Sequence, residues 1–215
     1  MDRKALYTFQ RPPLALVLGI SAGWLAVVAL APSGTAISWL AAASALAMVA
    51  TFVTRTPLLR WPLRSDVVAL GLGVGLVTLA ATHAVAPSVL KAVPAWAEDF
   101  RELFSYEVAG SGHWLVVDVA LTCLIIIGEE LIWRGLALKS LRAHVPDMAA
   151  VLLAAVLYAV SQLGFGRTLP AVAALVLGIV WGTLRVMTWQ RGRLLAPLLA
   201  HATWTIGVLY VWPIR

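Results

Sequence analysis

Seven stretches of this chain are long and apolar enough to cross a membrane, at approximately 13–31, 36–53, 67–87, 114–138, 148–165, 169–188 and 194–212. Crossing about 30 Å of hydrocarbon takes roughly 20 helical residues, with about 17 to 25 tolerated. In that solvent every backbone N–H and C=O must be satisfied within the protein, so stretches of this length fold as helices. No other feature restricts the fold as much. Composition agrees: 61% of the 215 residues are hydrophobic and 12% are charged, against roughly 25% charged in an ordinary soluble domain. Mean hydropathy is +0.91. The expected fold is all-α, a polytopic transmembrane helical bundle of about seven spans.

Basic residues set the expected orientation. With the N-terminus in the cytoplasm, Arg3, Lys4, Arg11, Arg55, Arg60, Arg64, Lys139, Arg142, Arg185, Arg191 and Arg193 fall inside. The opposite side receives only Lys91, Arg101, Arg167 and Arg215, and its longest loop, "LKAVPAWAEDFRELFSYEVAGSGHW", is acidic overall. That loop reads partly as an interfacial helix, with Trp96, Phe100, Leu103 and Phe104 on one apolar face. The net charge of +6 is spread over short loops, as membrane topology requires, so no nucleic-acid partner is expected. A single cysteine, Cys123, excludes an internal disulfide. No cleavable signal peptide is evident, because the first apolar stretch is long and the "APSGTA" after it reads as a turn. No linker divides the chain. Residues 1–113 are expected to supply N-terminal spans and the external amphipathic loop, and 114–215 the functional core, all within one integral membrane domain.

Charged groups at membrane depth are costly and usually functional. The run "CLIIIGEELIWRGLALK" carries three of them, Glu129, Glu130 and Arg134. Glu130 and Arg134 are four residues apart, so they share a helix face and can pair. Glu129 points about 100° away around the helix. The spacing thus predicts one carboxylate held by an arginine and one left free, able to act as a general base toward water. Tyr158 and Gln162 share a face of the fifth span by the same spacing, and His201 and Thr205 a face of the seventh. A histidine and a hydroxyl on adjacent turns could serve an oxyanion. Asp118 and His83 are expected near the interface, solvated. Each group also has a plain structural reading, as a buried ion pair, a satisfied core histidine, or a hydrogen bond between helices.

These residues resemble the intramembrane CAAX-protease and bacteriocin-processing enzymes, also called the Abi family. The first motif of that family, Glu-Glu-x-x-x-Arg, is matched by "EELIWRG" from Glu129 to Gly135. Its second, Phe-x-x-x-His, corresponds to "YAVSQ" from Tyr158 to Gln162, and its third, His-x-x-x-Asn or Asp, to "HATWT" from His201 to Thr205. The resemblance covers about residues 114–212. It implies Glu129 as general base, His201 as oxyanion donor, and Glu130 with Arg134 as support. It further implies a glutamic rather than zinc-dependent enzyme without a cofactor, and a membrane-associated protein or peptide substrate met at the lipid bilayer. The expected location is the inner membrane of a bacterium.

Two positions depart from the pattern: Gln162 stands for the histidine and Thr205 for the asparagine. Glutamine orients a water but takes up no proton, and threonine donates one hydrogen bond from a shorter side chain. Glu129 would then be the sole base, with His201 as a proton shuttle. Straight helices would leave Gln162 nearer the outer face than His201, so tilts or breaks are expected to bring them together, with Gly164 and Pro197 as places that could supply them. Three readings stay open: an active intramembrane protease, a non-catalytic scaffold or regulator, and a transporter with a Glu129–His201 proton relay. The scarcity of polar groups in spans one, two and six speaks against the last.

Overall fold

A computed structural model describes residues 14–30, 36–53, 63–104, 115–190 and 194–214. All regular structure among them is helical. Every one of the seven apolar stretches is occupied by helix: α1 (Leu14–Leu30), α2 (Ala36–Val53), α3 (Ser65–Ala92), α5 (Leu115–Glu129) continuing into α6 (Leu138–Leu141), α7 (Asp147–Gln162), α8 (Thr168–Met187) and α9 (Leu195–Ile206). The external loop contributes α4 (Pro94–Phe104). Among the described residues, Ser65–Ala92, Asp147–Phe165 and Thr168–Met187 are long and apolar enough to cross a membrane, and Leu14–Leu30 and Leu195–Val211 are shorter apolar helices.

The packing is inside-out relative to a soluble protein. Large apolar side chains such as Leu18, Leu76, Val77, Val156, Val160 and Val176 are exposed on the bundle's outside. Glu129, Glu130, Arg134, Gln162 and His201 are buried within it. Contiguous apolar surface of this extent needs a lipid partner. The outside of the bundle is therefore a hydrocarbon-facing surface, and the chain is an integral membrane protein.

Two helix pairs make the most extensive contacts, α7 with α8 and α3 with α9. The second pair depends on small residues. A Cβ on Gly71 would stand 2.7 Å from the Ala196 carbonyl oxygen, and one on Gly75 would stand 2.9 Å from that of Ala200. The helices approach backbone to backbone along this stripe, as small residues allow in membrane bundles. Because α9 carries His201, this contact sets how far the histidine projects into the bundle. α7 and α8 are joined by a short 3₁₀ turn, Leu163–Phe165, closed by Gly166 at φ 69°, a left-handed conformation that glycine adopts without a Cβ penalty.

One irregularity lies where no motif or breaker residue announces it. After Glu129 the helix continues as a π-helical segment, Glu130–Ala137. Such i→i+5 segments are rare and occur often at functional sites. Pro197, by contrast, lies in the first turn of α9 and the helix runs through it; a proline there has no hydrogen bond to an earlier turn to forfeit. Of the two places named for a break, the chain turns at Gly164 and runs on through Pro197.

Candidate functional site

The site is assembled where α5 passes into the π-helical segment, flanked by α7, α8 and α9. Glu129 is the last residue of α5 and Glu130 the first of the π-helical segment, so the two carboxylates leave the same point of the chain in different directions.

Glu129 faces α7. Its Oε1 accepts a hydrogen bond from Gln162 Nε2 at 3.1 Å and its Oε2 one from the Tyr158 hydroxyl at 3.0 Å. The spacing had predicted a free carboxylate here. It is engaged on both oxygens, because a buried carboxylate must find donors and α7 presents two from successive turns. Each oxygen keeps a further lone pair.

Glu130 faces α9 and its own helix. Its Oε1 lies 3.1 Å from Arg134 Nη1 and 2.9 Å from His201 Nδ1. The expected pair with Arg134 is present, and the histidine joins it. A carboxylate only accepts, so Nδ1 carries the hydrogen. That leaves His201 Nε2 directed at Glu129, 3.6 Å from Oε2. His201 thus stands between the two glutamates, a placement no spacing in the chain foretold.

Arg134 is 2% exposed, and aromatic rings cover the remainder of its guanidinium. Tyr158 lies 4.8 Å and Trp181 5.2 Å from its central carbon, distances at which a ring face attracts a cation. Trp181 also stacks on the His201 imidazole, with centroids 4.1 Å apart and planes 24° from parallel. A cavity of about 10 Å³, room for a single water, lies beside the guanidinium, lined among others by Trp133, Tyr158, Gly178 and Gly182.

Of the six candidates, Glu129, Glu130, Arg134, Gln162 and His201 touch one another in an unbroken chain of contacts. Thr205 sits one turn beyond His201 on α9, its hydroxyl oxygen buried and without a hydrogen-bond partner among the described residues. Two contributors were not among the candidates. The spacing places Tyr158 only on the face of Gln162, and no motif includes Trp181. Its signal was position: indoles favour the membrane interface, so a tryptophan in mid-span calls for a partner.

Other expected polar groups lie elsewhere. Asp118 is buried, not solvated; α5 carries it inward on the turn before Thr122, which bonds Tyr210 at 2.8 Å. His83, expected near the interface, is partly exposed and makes contacts of its own. Its ring nitrogens lie 2.9 Å from the Leu79 carbonyl and 2.6 Å from that of Trp212, whose indole stacks on it. Of the expected interfacial helix, Trp96 donates to Thr168 Oγ1 at 2.9 Å, while the side chains of Leu103 and Phe104 lie outside the described residues. No cluster of three or more His, Cys, Asp or Glu among the described residues is arranged to hold a metal ion.

A lipid-facing helical bundle that buries two glutamates, an arginine and a histidine in mutual contact defines a membrane protein with a polar site at depth. Residues 111–207, which include all three motifs, match the family model described as type II CAAX prenyl endopeptidase Rce1-like, in agreement with the CAAX-protease family that the motifs resemble. No curated protein and no solved structure matches the chain.

Proposed function

We propose that the chain is an intramembrane endopeptidase that hydrolyses a membrane-associated or hydrophobic protein segment by means of a glutamate-activated water. The observation that carries this reading is the convergence of Glu129 and His201, 3.6 Å apart, from two helices. Glu129 takes a proton from water as the water oxygen bonds to the scissile carbonyl carbon. The resulting oxyanion receives the Thr205 hydroxyl, which has a hydrogen bond left to give. Fixed as the Nδ1–H tautomer by Glu130, His201 accepts the proton from Glu129 at Nε2 and delivers it to the leaving amine as the C–N bond breaks. While protonated, its Nε2–H adds a second donor to the oxyanion. Glu130 and Arg134 hold the imidazole in place, and Gln162 holds the Glu129 carboxylate. The bundle is multi-pass, with seven spans, a cytoplasmic N-terminus, residues 114–215 as its core and the bacterial inner membrane as its setting.

A second reading, a non-catalytic scaffold or regulator of the same fold, is favoured by one observation. The α7 groups on the Glu129 oxygens are an amide and a phenol, and the amide takes up no proton. Cleavage by purified protein in liposomes separates the two readings. Wild type is compared with Glu129→Ala and His201→Ala on membrane-anchored prenylated tails, leader peptides and C-terminal sorting segments. Cleavage that disappears in both variants supports the protease. Cleavage gained only by Gln162→His with Thr205→Asn supports the scaffold. Equal cleavage by wild type and Glu129→Ala ends the protease reading.

A further inference from the structure

We infer that Tyr158 is a positioning residue, whose hydroxyl holds the Glu129 carboxylate in register with His201; this rests on the protease reading above. Oε2 of Glu129 is the oxygen that receives the Tyr158 hydroxyl, at 3.0 Å, and the same oxygen lies 3.6 Å from His201 Nε2. A proton passed between the two side chains has to cross that gap. Rotation of the carboxylate about its last bond would carry Oε2 away from the imidazole. Gln162 holds the opposite oxygen, Oε1, so the two hydrogen bonds together limit that rotation.

The tyrosine is built to be immobile. Its ring is buried, packs at 5.3 Å between centroids against Trp133, and lies under the Arg134 guanidinium at 4.8 Å. On the α8 side, Gly178 leaves room for the ring: a Cβ there would stand 3.6 Å from it. A ring packed between an indole and a guanidinium delivers its O–H in one direction. The second motif of the resembling family has phenylalanine here and histidine four residues on. This chain has moved a polar hold from the second position to the first: Gln162 keeps a hydrogen bond but no proton chemistry, and the hydroxyl of Tyr158 supplies a second point of attachment. Tyr158 and Gln162 therefore act as a two-point clamp, and their effects are coupled.

The test is a cycle of Tyr158→Phe and Gln162→His, each variant first shown to unfold as cooperatively as wild type in detergent, with cleavage followed in liposomes. Phenylalanine keeps the ring and its packing. In the Gln162 background Tyr158→Phe should lower kcat about 10- to 100-fold with KM unchanged, the scale on which misplacement of a catalytic group acts. In the Gln162→His background the same change should cost less than about threefold, because an imidazole at 162 takes up a proton itself and the register of Glu129 with His201 then counts for less. A purely structural role would change recovery and stability and leave the kinetics of the folded fraction alike. Less than a twofold effect in the native background overturns the inference, as does an equal loss in both backgrounds or failure of Tyr158→Phe to fold. In those cases a Glu129-dependent wild type leaves the protease reading standing. Equal cleavage by wild type and Glu129→Ala removes both.

Discussion

Two ion pairs in this molecule have the same length and different surroundings. Glu130–Arg134 in the site and Asp99–Arg167 between α4 and α8 both close at 3.1 Å. The side chains of the first are 1% and 3% exposed, those of the second 12% and 26%. Water and lipid headgroups can compensate Asp99 or Arg167 if the partner leaves; nothing comparable surrounds Glu130. The worth of such a pair is set by what its members would meet alone. Within the site the answer is buried rings and a second carboxylate, so the pair governs whether the site exists at all.

The largest expected effect follows from that difference. Arg134→Leu leaves Glu130 buried with only His201 Nδ1 as a donor. Removal of one member of a buried pair costs about 3–5 kcal/mol, a large part of the stability of a bundle this size. Chemical denaturation in detergent should show it, or the variant should fail to accumulate. Arg134→Lys is expected to recover only part of the loss, because an ammonium does not reproduce the planar contacts of the guanidinium with Tyr158 and Trp181. Full recovery by lysine would mean that charge alone, not the aromatic sandwich, holds position 134.

Next comes the helix contact that places His201. Gly75→Leu forces a side chain into Ala200 and Thr203 of α9, where a Cβ already stands 2.6 Å from Thr203 Cβ. Overpacking of this kind costs about 1–3 kcal/mol, and cleavage should fall by more than the loss of folded protein explains, since α9 shifts relative to Glu129. Gly73→Leu, two residues away with open space around its Cβ position, is the control and should leave stability and cleavage unchanged. Equal effects at both positions would show that helix propensity, not the α3–α9 approach, is responsible.

These contrasts also mark what the sequence made legible. Each of the seven apolar runs holds a helix, because an apolar run of that length satisfies its backbone best that way, and α3 differs from its expected span only at the ends. The Glu130–Arg134 pair was readable because both members lie on one helix, where spacing determines contact. Everything that joins helices was less so. Tyr158 and Gln162 could be placed on one face but not on Glu129, 29 and 33 residues earlier. His201 could be matched to a motif but not set between two carboxylates. The π-helical segment escaped because no residue pattern from Glu130 to Ala137 distinguishes an i→i+5 turn from an ordinary helix.

Asp99 comes third. It accepts from Arg167 and from the backbone N–H groups of Thr168 and Leu169, so it caps α8 from outside that helix. Loss of a cap costs about 0.5–2 kcal/mol, and Asp99→Ala should cost about 1 kcal/mol by denaturation. Asp99→Asn keeps an acceptor for the helix terminus and loses the ion pair, so it should recover most of the difference. If asparagine were as damaging as alanine, the pair with Arg167 rather than the cap would be the main contribution.

The smallest effect sets geometry directly against burial. Arg64 and Asp66 form the better-shaped pair: two parallel contacts at 3.1 and 3.2 Å, Nε to Oδ1 and Nη2 to Oδ2. Glu130 and Arg134 have one close approach, from Nη1. A bidentate fork is the stronger hydrogen-bonding arrangement, so geometry alone would rank the Arg64 pair first. Its side chains are 53% and 49% exposed, and in water the Coulomb gain is largely screened and offset by the cost of ordering two side chains. Arg64→Ala should therefore leave the denaturation midpoint unmoved at low and at high salt. A midpoint that falls measurably, and falls less as salt is added, would mean that the fork at the start of α3 holds that helix in spite of its exposure, and that shape as well as burial has to be counted in ranking the three pairs.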